Sequence, residues 1–374
     1  MFAFALKTLL SDRGKLITAL IGVVFSLILV CVQGGLYSGL MQKASLLVDE
    51  CNADIWVCHR HIELVDLPKS IPTLWRNRIR GLEGVEQAEP YIVGNAYASL
   101  PNSQYENVWI MGSDPTTKLG GGWAFVEGDH TRLLRPHGIT VDALDAERLG
   151  NPQINDTLEI NGHRARVVAK TWGIAPFTTT PYLFTSLNNA RQYTKIPDSN
   201  CSYILVRAKA GTDLRLLQER IRQRIPDADV YTSAEFSQIS RDYWMTRTGI
   251  GISFGAATLL GVLVGMLMVG QSLYALALDH LDDYATLKAI GADDRQIRSV
   301  VIAQALSIAA VGSAVGIAMV VLIERNWSSP LAPIEIPFDL LCGSVALVFG
   351  ICLLATILPA HRIRRIDPAT VLQG

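Results

Sequence analysis

The chain has 374 residues, of which 49% are hydrophobic and only 18% are charged. This composition is more apolar than a soluble domain of the same length requires. The formal net charge of −1 gives no general reason to expect nucleic acid as a partner. The fold class therefore depends on where the apolar residues lie along the chain.

Residues 1–15 predict a short amphipathic helix on the cytoplasmic surface of a membrane. Its apolar side consists of Phe2, Leu6, Leu9 and Leu10, and its basic side of Lys7 and Arg13. The helix leads directly into the first long apolar segment.

Four uncharged segments are long enough to cross a membrane as helices. A span needs about 20 apolar residues, because the hydrocarbon layer is ~30 Å thick and a helix rises ~1.5 Å per residue. The segments are 16–42, 248–278, 299–323 and 340–360, and Pro359 is expected to end the last helix. The first is too long for a cleaved signal peptide and is expected to be a signal anchor.

Basic residues in the short loops predict the orientation. They lie before the first span, between the second and third, and after the fourth: Lys7, Arg13, Lys15, Lys288, Arg295, Arg298, Arg362, Arg364 and Arg365. The loop 324–339 offers only Arg325. Both termini and the loop 279–298 are therefore expected in the cytoplasm, and residues 43–247 outside the inner membrane, in the periplasm.

The segment 43–247 is expected to fold as one mixed α/β domain with a stalk. Strand-like stretches are 53–57, 91–99, 107–112, 158–160, 164–169 and 202–207, whereas 171–190 is expected to be strand and loop. Asn161-Gly162 predicts a two-residue hairpin. Residues 213–224 predict an amphipathic helix capped by Thr212. Residues 235–247 lack helix breakers and are expected to extend the second span outward.

Enzyme motifs are absent from the sequence. The only Gly-Lys pair, Gly14-Lys15, has Leu9 where a P-loop requires glycine, so ATP binding by that route is excluded. Zinc-protease and α/β-hydrolase motifs are also missing. The chain is expected to bind no cofactor itself.

A cluster of metal-ligating residue types follows the first predicted strand of the outer domain. Cys58, His59 and His61 are weak candidates for a metal or haem site, together with Cys51 and Glu63. A polar surface loop, closed by a Cys51–Cys58 disulfide or not, explains the same residues and is favoured. Cys201 adds a third outer cysteine, and its pairing stays open.

The loop between the second and third spans has the pattern of a short, rigidly held helix. Residues 280–290 predict a helix, Gly291 follows where a left-handed residue is needed, and Asp293 with Gln296 forms a capping box. Tyr284 and Leu287 are expected to be exposed apolar anchors for a partner. In the tail, Asp367-Pro368 predicts a second capped helix.

Small residues in the first two spans are candidates for close packing between spans or between protomers. They are Gly34, Gly35, Gly251, Gly255, Gly261 and Gly265. The expected fold class is an α-helical four-span transmembrane domain with a large mixed α/β periplasmic domain between spans 1 and 2.

The span order, the segment YATLKAIGA at 284–292 and the ending at 365–372 resemble the MacB/FtsX-type ABC transporter permeases. The segments 53–57, 178–186 and 235–244 are similar to the DevC branch of that group. The resemblance implies a homodimeric permease whose 279–298 loop carries the coupling helix. Its coupling residues would be Leu281, Asp283, Tyr284, Leu287, Lys288, Gly291 and Ala292.

The same resemblance implies a separate ATPase subunit that binds ATP and Mg²⁺, a membrane-fusion adaptor and an outer-membrane channel. Export of an amphipathic or lipid-like molecule is then the expected function. Mechanotransmission and lipoprotein extraction are alternatives within the group. A membrane-anchored sensor or adhesive domain is an alternative of another class, and a membrane enzyme finds little support.

Overall fold

The structure is a computed structural model that describes residues 2–100 and 103–364. Its helices are α1 (Phe2–Ser11), α2 (Arg13–Glu50), α3 (Trp75–Arg80), α4 (Leu187–Thr194), α5 (Leu214–Arg224), α6 (Ser233–Arg247), α7 (Ile250–Asp279), α8 (Leu281–Ala289), α9 (Asp294–Trp327), α10 (Phe338–Ala355) and α11 (Ile357–Arg364). Its strands are β1 (Ile55–His59), β2 (Ile71–Pro72), β3 (Val85–Ser99), β4 (Tyr105–Ser113), β5 (Phe125–Glu127), β6 (Gly138–Asp142), β7 (Thr157–Ile160), β8 (His163–Thr171), β9 (Tyr182–Ser186), β10 (Asn200–Cys201), β11 (Tyr203–Ala208) and β12 (Ala228–Thr232). The chain divides into a membrane unit, Met1–Gly39 with Ile250–Gly374, and an outer domain, Leu40–Gly249.

Four helical segments are long and apolar enough to cross a membrane: α2, α7, α9 and the segment Phe338–His361. Three of them contain a predicted uncharged run entirely, and α7 contains all of 248–278 except its first two residues, so the four-span prediction is confirmed. The helices are longer than three of those runs, because charged residues at their ends continue the helix beyond the apolar stretch. Their interior core is made mainly of aliphatic and small side chains from all four spans.

Glycines let two other spans approach α2 closely within the membrane unit. A Cβ added to Gly261 would lie 2.2 Å from Leu29 Cδ2, and one added to Gly265 would lie 2.6 Å from Ser26 Cβ. In α9, Gly312 and Gly316 meet Val23 and Leu27 of α2 in the same way. Gly261 and Gly265 therefore pack between spans of one protomer, which is the first of the two alternatives predicted for them.

The glycines near the end of the first span also have neighbours within the chain. Gly34 lies against Leu340, and Gly35 lies against Ile334 and Ile336 of the loop between the last two spans. Glu335 N donates a hydrogen bond of 3.2 Å to Gly35 O. Gly34 and Gly35 therefore do not need a second protomer to explain them.

Gly251 and Gly255 of α7 are less buried than Gly261 and Gly265. Gly251 is half-buried in the first turn of α7. A Cβ added to Gly255 would meet no atom of the described chain within 4 Å. That a second protomer approaches α7 at Gly255 therefore stays a prediction.

The last span contains a break that lies before the predicted end at Pro359. α10 ends at Ala355 and α11 continues from Ile357 through Pro359. Thr356 lies between them, and its N–H and its hydroxyl both donate to Leu353 O. Proline lacks the N–H that would bond to Ala355 O, so it interrupts the helix one turn earlier instead of ending it. The predicted tail helix at Asp367-Pro368 lies outside the described residues.

The outer domain is built on a ten-stranded sheet with the order β12-β1-β11-β3-β4-β9-β6-β8-β5, in which β7 pairs with β3 and β8. Most pairs are antiparallel, but β4–β9 and β6–β8 are parallel. Helices α3 and α5 cover one part of the sheet and α4 another. The mixed α/β prediction is confirmed.

In the outer domain, one predicted turn is confirmed and two predicted helix ends are corrected. Asn161 and Gly162 have φ of 49° and 83°, as the predicted hairpin between β7 and β8 requires. The cap of α5 is Asp213, whose carboxylate accepts from Arg215 N and Leu216 N, so the assignment to Thr212 is wrong by one residue. The predicted continuous stalk is interrupted, because α6 ends at Arg247 and Gly249 has a φ of 71°.

Candidate functional site

The candidate site is the segment 279–298 of the membrane unit, which contains α8. Gly291 has a φ of 103°, which confirms the predicted left-handed position. Gly291 N donates to Lys288 O at 3.0 Å and Ala292 N donates to Leu287 O at 2.9 Å. These two bonds form a Schellman motif, which ends α8 at a defined residue.

The chain then enters α9 through a second fixed turn. The Asp293 side chain caps the first turn of α9, and Gln296 Oε1 accepts from Asp293 N at 3.2 Å. The predicted capping box is confirmed. Lys288 Nζ lies 3.1 Å from Asp294 Oδ1, which joins α8 to the start of α9 by an ion pair.

Tyr284 is completely buried, so the prediction that it is an exposed anchor is wrong. Its ring packs edge-on against Phe4 of α1, with centroids 6.3 Å apart and planes at 75°. The surrounding buried side chains are Ala5, Ala277, Ile297, Val300 and Val301, and together with Tyr284 they form the Tyr284 cluster. Burial raises the pKa of Tyr284 to about 12, so the phenol is neutral at physiological pH.

Leu287 and Ala292 are partly buried and pack against the Tyr284 cluster. Leu281 and Lys288 are also partly buried, whereas Asp283 and Gly291 are exposed. Leu287 is therefore less exposed than predicted. Helical spacing alone identified an apolar side of α8 but could not show that α1 covers it.

The exposed face of α8 is formed by other residues. Asp282, Thr286 and Ile290 follow one another at intervals of four, so they lie on one side of the helix. Ile290 is 81% exposed, although it is a large aliphatic side chain at the end of a helix. This face combines one apolar side chain with an acidic first turn, in which Asp282 and Asp283 are both exposed.

Polar contacts tie α8 to α1 and to the start of α2. His280, the N-cap residue of α8, has its Nε2 3.1 Å from Ser11 Oγ and its Nδ1 2.9 Å from Asp283 Oδ2. Lys15 of α2 pairs with Asp279 at the end of α7. These contacts hold the beginning of the segment 279–298, whereas the capping box of α9 holds its end.

Helix α1 differs from the predicted arrangement of its faces. Ala5, Thr8 and Leu9 are buried within the membrane unit, whereas Leu6 and Leu10 are exposed. The predicted apolar side therefore splits into one face toward the protein and another toward its surroundings. Gln304 Nε2 of α9 donates to Thr8 Oγ1 at 2.8 Å, which adds a buried polar contact to this packing.

The cysteines of the predicted outer-domain cluster are buried, whereas its histidines are exposed. Cys51 and Cys58 are buried free thiols, so they form no disulfide with each other, and Cys201 is also free. Cys51 Sγ donates to Tyr91 Oη at 3.8 Å, and Cys58 Sγ donates to Asp229 O at 3.3 Å. Burial raises the pKa of both thiols.

The two histidines of that cluster are exposed at the end of β1. His59 Nδ1 contacts Arg60 O at 2.8 Å, and His61 N donates to Asp229 Oδ2 at 2.8 Å. Within residues 2–100 and 103–364, no group of three or more His, Cys, Asp and Glu side chains is placed to hold a metal ion. The weak metal candidates are therefore not brought together with enough ligands.

The fold and the segment 279–298 define a four-span permease with a large outer domain. Residues 16–224 match the family model of the MacB-like periplasmic core domain, and residues 255–368 match that of the FtsX-like permease C-terminal region. The chain therefore belongs to the MacB/FtsX-type family of ABC transporter permeases.

Relatives and solved structures are similar over long stretches. The uncharacterized ABC transporter permeases Rv2563 and Rv0072 of Mycobacterium tuberculosis are 25% identical over 395 residues and 23% identical over 389 residues, and each alignment covers 100% of both chains. The periplasmic region of MacB from Actinobacillus actinomycetemcomitans covers 50% of this chain and 92% of its own, with 11% identity and a TM-score of 0.39. The extracellular domain of YknZ from Gram-positive bacteria covers 48% and 98%, with 12% identity and a TM-score of 0.36.

Proposed function

We propose that a separate ATPase subunit docks on the exposed face of α8 and that this chain couples ATP hydrolysis to movement of its spans. One observation carries the proposal: α8 is fixed on one side and open on the other. Tyr284 is 0% exposed, whereas Ile290 is 81% exposed. A short helix held in this way can pass a push from a partner to the spans without tilting independently of them.

The chemistry of the exposed face of α8 indicates which kind of surface the ATPase should present to it. Short helices that dock in a groove gain most of their binding energy from a few apolar anchors. Ile290 supplies such an anchor at the end of α8, and Asp282 and Asp283 supply negative charge in its first turn. We expect the groove of the ATPase to be apolar at its centre and basic at its rim. ATP and Mg²⁺ would bind to that subunit, since this sequence has no P-loop.

Movement would pass from α8 to the spans through its contacts with α1, α7 and α9. The Tyr284 cluster includes side chains from all four of these helices. α2 has no break between Arg13 and Glu50, so its movement would also be felt at the start of the outer domain. There, Asp49 accepts hydrogen bonds from Ser237 at 2.5 Å and from Arg241 at 3.2 Å, which join the end of α2 to α6.

A homodimer is proposed because α7 is the most exposed span. In its most apolar window 17% of the residues are buried, against 39% in α2 and 33% in α9. Leu259, Leu263 and Leu267 are exposed at intervals of four residues and continue the stripe that Gly255 begins. A second copy of α7 could pack on this stripe. Disulfide formation by Leu263→Cys, with Leu322→Cys on α9 as the control, would detect it.

Export of an amphipathic or lipid-like molecule is the proposed task, with the chain in the inner membrane and its outer domain in the periplasm. The DevC-like segments at 53–57, 178–186 and 235–244 support a membrane-fusion adaptor and an outer-membrane channel as further partners. Mechanotransmission or lipoprotein extraction would use the same coupling segment. A sensor or adhesive role would be favoured instead only if α8 binds no ATPase.

The proposal is tested by placing a charge on the exposed face of α8. Ile290→Glu should leave the permease inserted in the membrane but remove the co-purifying P-loop ATPase and its ATP hydrolysis, because a carboxylate replaces the apolar anchor. Leu216→Glu, at an exposed position of α5 in the outer domain, is the control and should keep both. Equal amounts of ATPase with both variants would refute docking on α8.

A further inference from the structure

A groove lies on the surface of the membrane unit between the beginning of α9 and the last span. Its volume is about 450 Å³, which is within the range of small-molecule sites. It is lined by Arg298, Ile302, Leu353, Thr356, Ile357, Ala360 and His361. It does not include the exposed face of α8.

The groove changes from polar to apolar along its length. On α9, Arg298 precedes Ile302 by four residues, so the charged side chain lies one turn closer to the helix start than the aliphatic one. On the opposite wall, Leu353 and Ile357 precede His361 at the same spacing. Because the two walls run in opposite directions, the basic and imidazole side chains share one end and the aliphatic side chains share the other.

The break in the last span shapes the opposite wall. The hydroxyl of Thr356 donates to Leu353 O at 2.7 Å, and Ala360 N donates to Thr356 O at 3.0 Å. The hydroxyl hydrogen of Thr356 is therefore already used by the backbone and is not needed for binding a ligand. The small side chain of Ala360 leaves room between Arg298 and His361.

Arg298 supplies positive charge at one end of the groove. Arg298 is exposed and forms no ion pair with the described part of the chain. The nearby carboxylates are already engaged, because Asp293 caps α9 and Asp294 pairs with Lys288. The aliphatic end of the groove is also open, with Leu353 41% and Ile357 60% exposed.

We propose that this groove is a binding site for one anionic phospholipid. The phosphate lies between Arg298 and His361, and an acyl chain follows Ile302, Leu353 and Ile357 into the hydrocarbon layer. A single ligand must match a basic end, an aliphatic end and a position where an apolar span meets the membrane surface. Basic pockets between spans at the cytoplasmic surface commonly hold anionic headgroups, and one arginine contributes about fivefold to such binding.

The test is native mass spectrometry of the full-length, delipidated permease titrated with phosphatidylglycerol or with phosphatidylcholine of the same acyl chains. The wild type should bind phosphatidylglycerol several times more tightly. Arg298→Gln should lower that affinity about fivefold. Ala360→Phe should lower it by filling the groove without changing any charge. Arg13→Gln, which removes an exposed arginine before the first span, is the matched control and should bind as the wild type does.

Four outcomes would overturn the proposal. Equal affinity for the two lipids would show that the charge of the headgroup plays no role. Equal losses of phosphatidylglycerol affinity in Arg298→Gln and Arg13→Gln would show that the lipid is attracted to the basic surface in general and not to this groove. Competition by millimolar inorganic phosphate would show a site for a free anion. Loss of the ATPase subunit from Arg298→Gln with unchanged lipid binding would assign the groove to that protein.

Discussion

Removing the ring of Tyr284 should loosen α8 while leaving the rest of the membrane unit folded. Tyr284 is fully buried and supplies the largest side chain of the Tyr284 cluster, where it meets Phe4 of α1 edge-on. Tyr284→Ala leaves a cavity between α1, α8 and α9. The Schellman turn at Gly291 and the capping box of α9 do not depend on this ring, so α8 should still form.

The expected effect is large enough to measure locally. Truncating a buried aromatic side chain to alanine costs about 3–5 kcal/mol, because apolar burial is lost and a cavity remains. If about 3 kcal/mol of that loss lowers the free energy of local opening, backbone amides of α8 should exchange with solvent about 100-fold faster, since 1.4 kcal/mol is a factor of ten. Hydrogen–deuterium exchange of peptides covering Leu281–Ala289 measures this change.

The matched control is Tyr284→Phe, which keeps the ring and its contact with Phe4. It should exchange at nearly the wild-type rate. A double-mutant cycle with Phe4→Ala should give a coupling of about 0.5–1.5 kcal/mol beyond the area buried, as edge-to-face aromatic pairs do. Unchanged exchange of α8 in Tyr284→Ala would refute the conclusion that this cluster fixes the helix.

Three further predictions concern other positions. Gly291→Val should speed exchange of α8 about tenfold, because a side chain at positive φ costs about 1–2 kcal/mol, and wild-type exchange would contradict the turn. Tyr182 Oη donates a hydrogen bond of 2.7 Å to Asp66 Oδ1, and burial raises the pKa of Asp66 to about 6. The folded domain therefore favours the protonated form, so calorimetry should show stability falling by about 3 kcal/mol as pH rises from about 4 through 6, and Asp66→Asn should abolish that slope. Cys51 and Cys58 should resist iodoacetamide in the folded, unreduced protein and both react in denaturant; an unreactive pair there would mean a disulfide.

The fold was predictable wherever a local pattern is sufficient to determine it. Four long uncharged runs predict four spans because the bilayer fixes their length. The hairpin at Asn161-Gly162 and the turn at Gly291 were predictable because few residues tolerate positive φ. The cap of α5 was misplaced by one residue because Thr212 and Asp213 both have oxygen atoms suited to capping, and only the backbone shows which one is used.

The burial of Tyr284 was not predictable from α8 alone. Its periodicity shows an apolar side, but that side faces either a partner or the same chain. The structure shows that α1, almost 280 residues earlier, supplies Phe4 and Ala5 to cover it. The signal present in the sequence is the apolar side of residues 1–15, which was predicted to face the membrane. The exposure of Ile290 was not predictable, because a residue at the very end of a helix has too few neighbours in sequence to define its face.

The packing partners of the glycines were not predictable from the sequence either. Small residues at spacings of four predict that helices approach closely, but they do not say which helices. Gly261 and Gly265 meet α2 of the same chain, whereas Gly255 remains open toward the surroundings. Choosing between packing within and between protomers requires the positions of all four spans.

The most direct measurement of the central claim is site-specific photocrosslinking in native membranes from position 290. A photoreactive phenylalanine analogue in place of Ile290 should form a crosslink to a P-loop ATPase that mass spectrometry identifies, and the same group in place of Leu216 should not. ATP hydrolysis that depends on the permease should be present in the same membranes. Crosslinks from position 290 that contain only lipid, or none at all, would contradict coupling through α8.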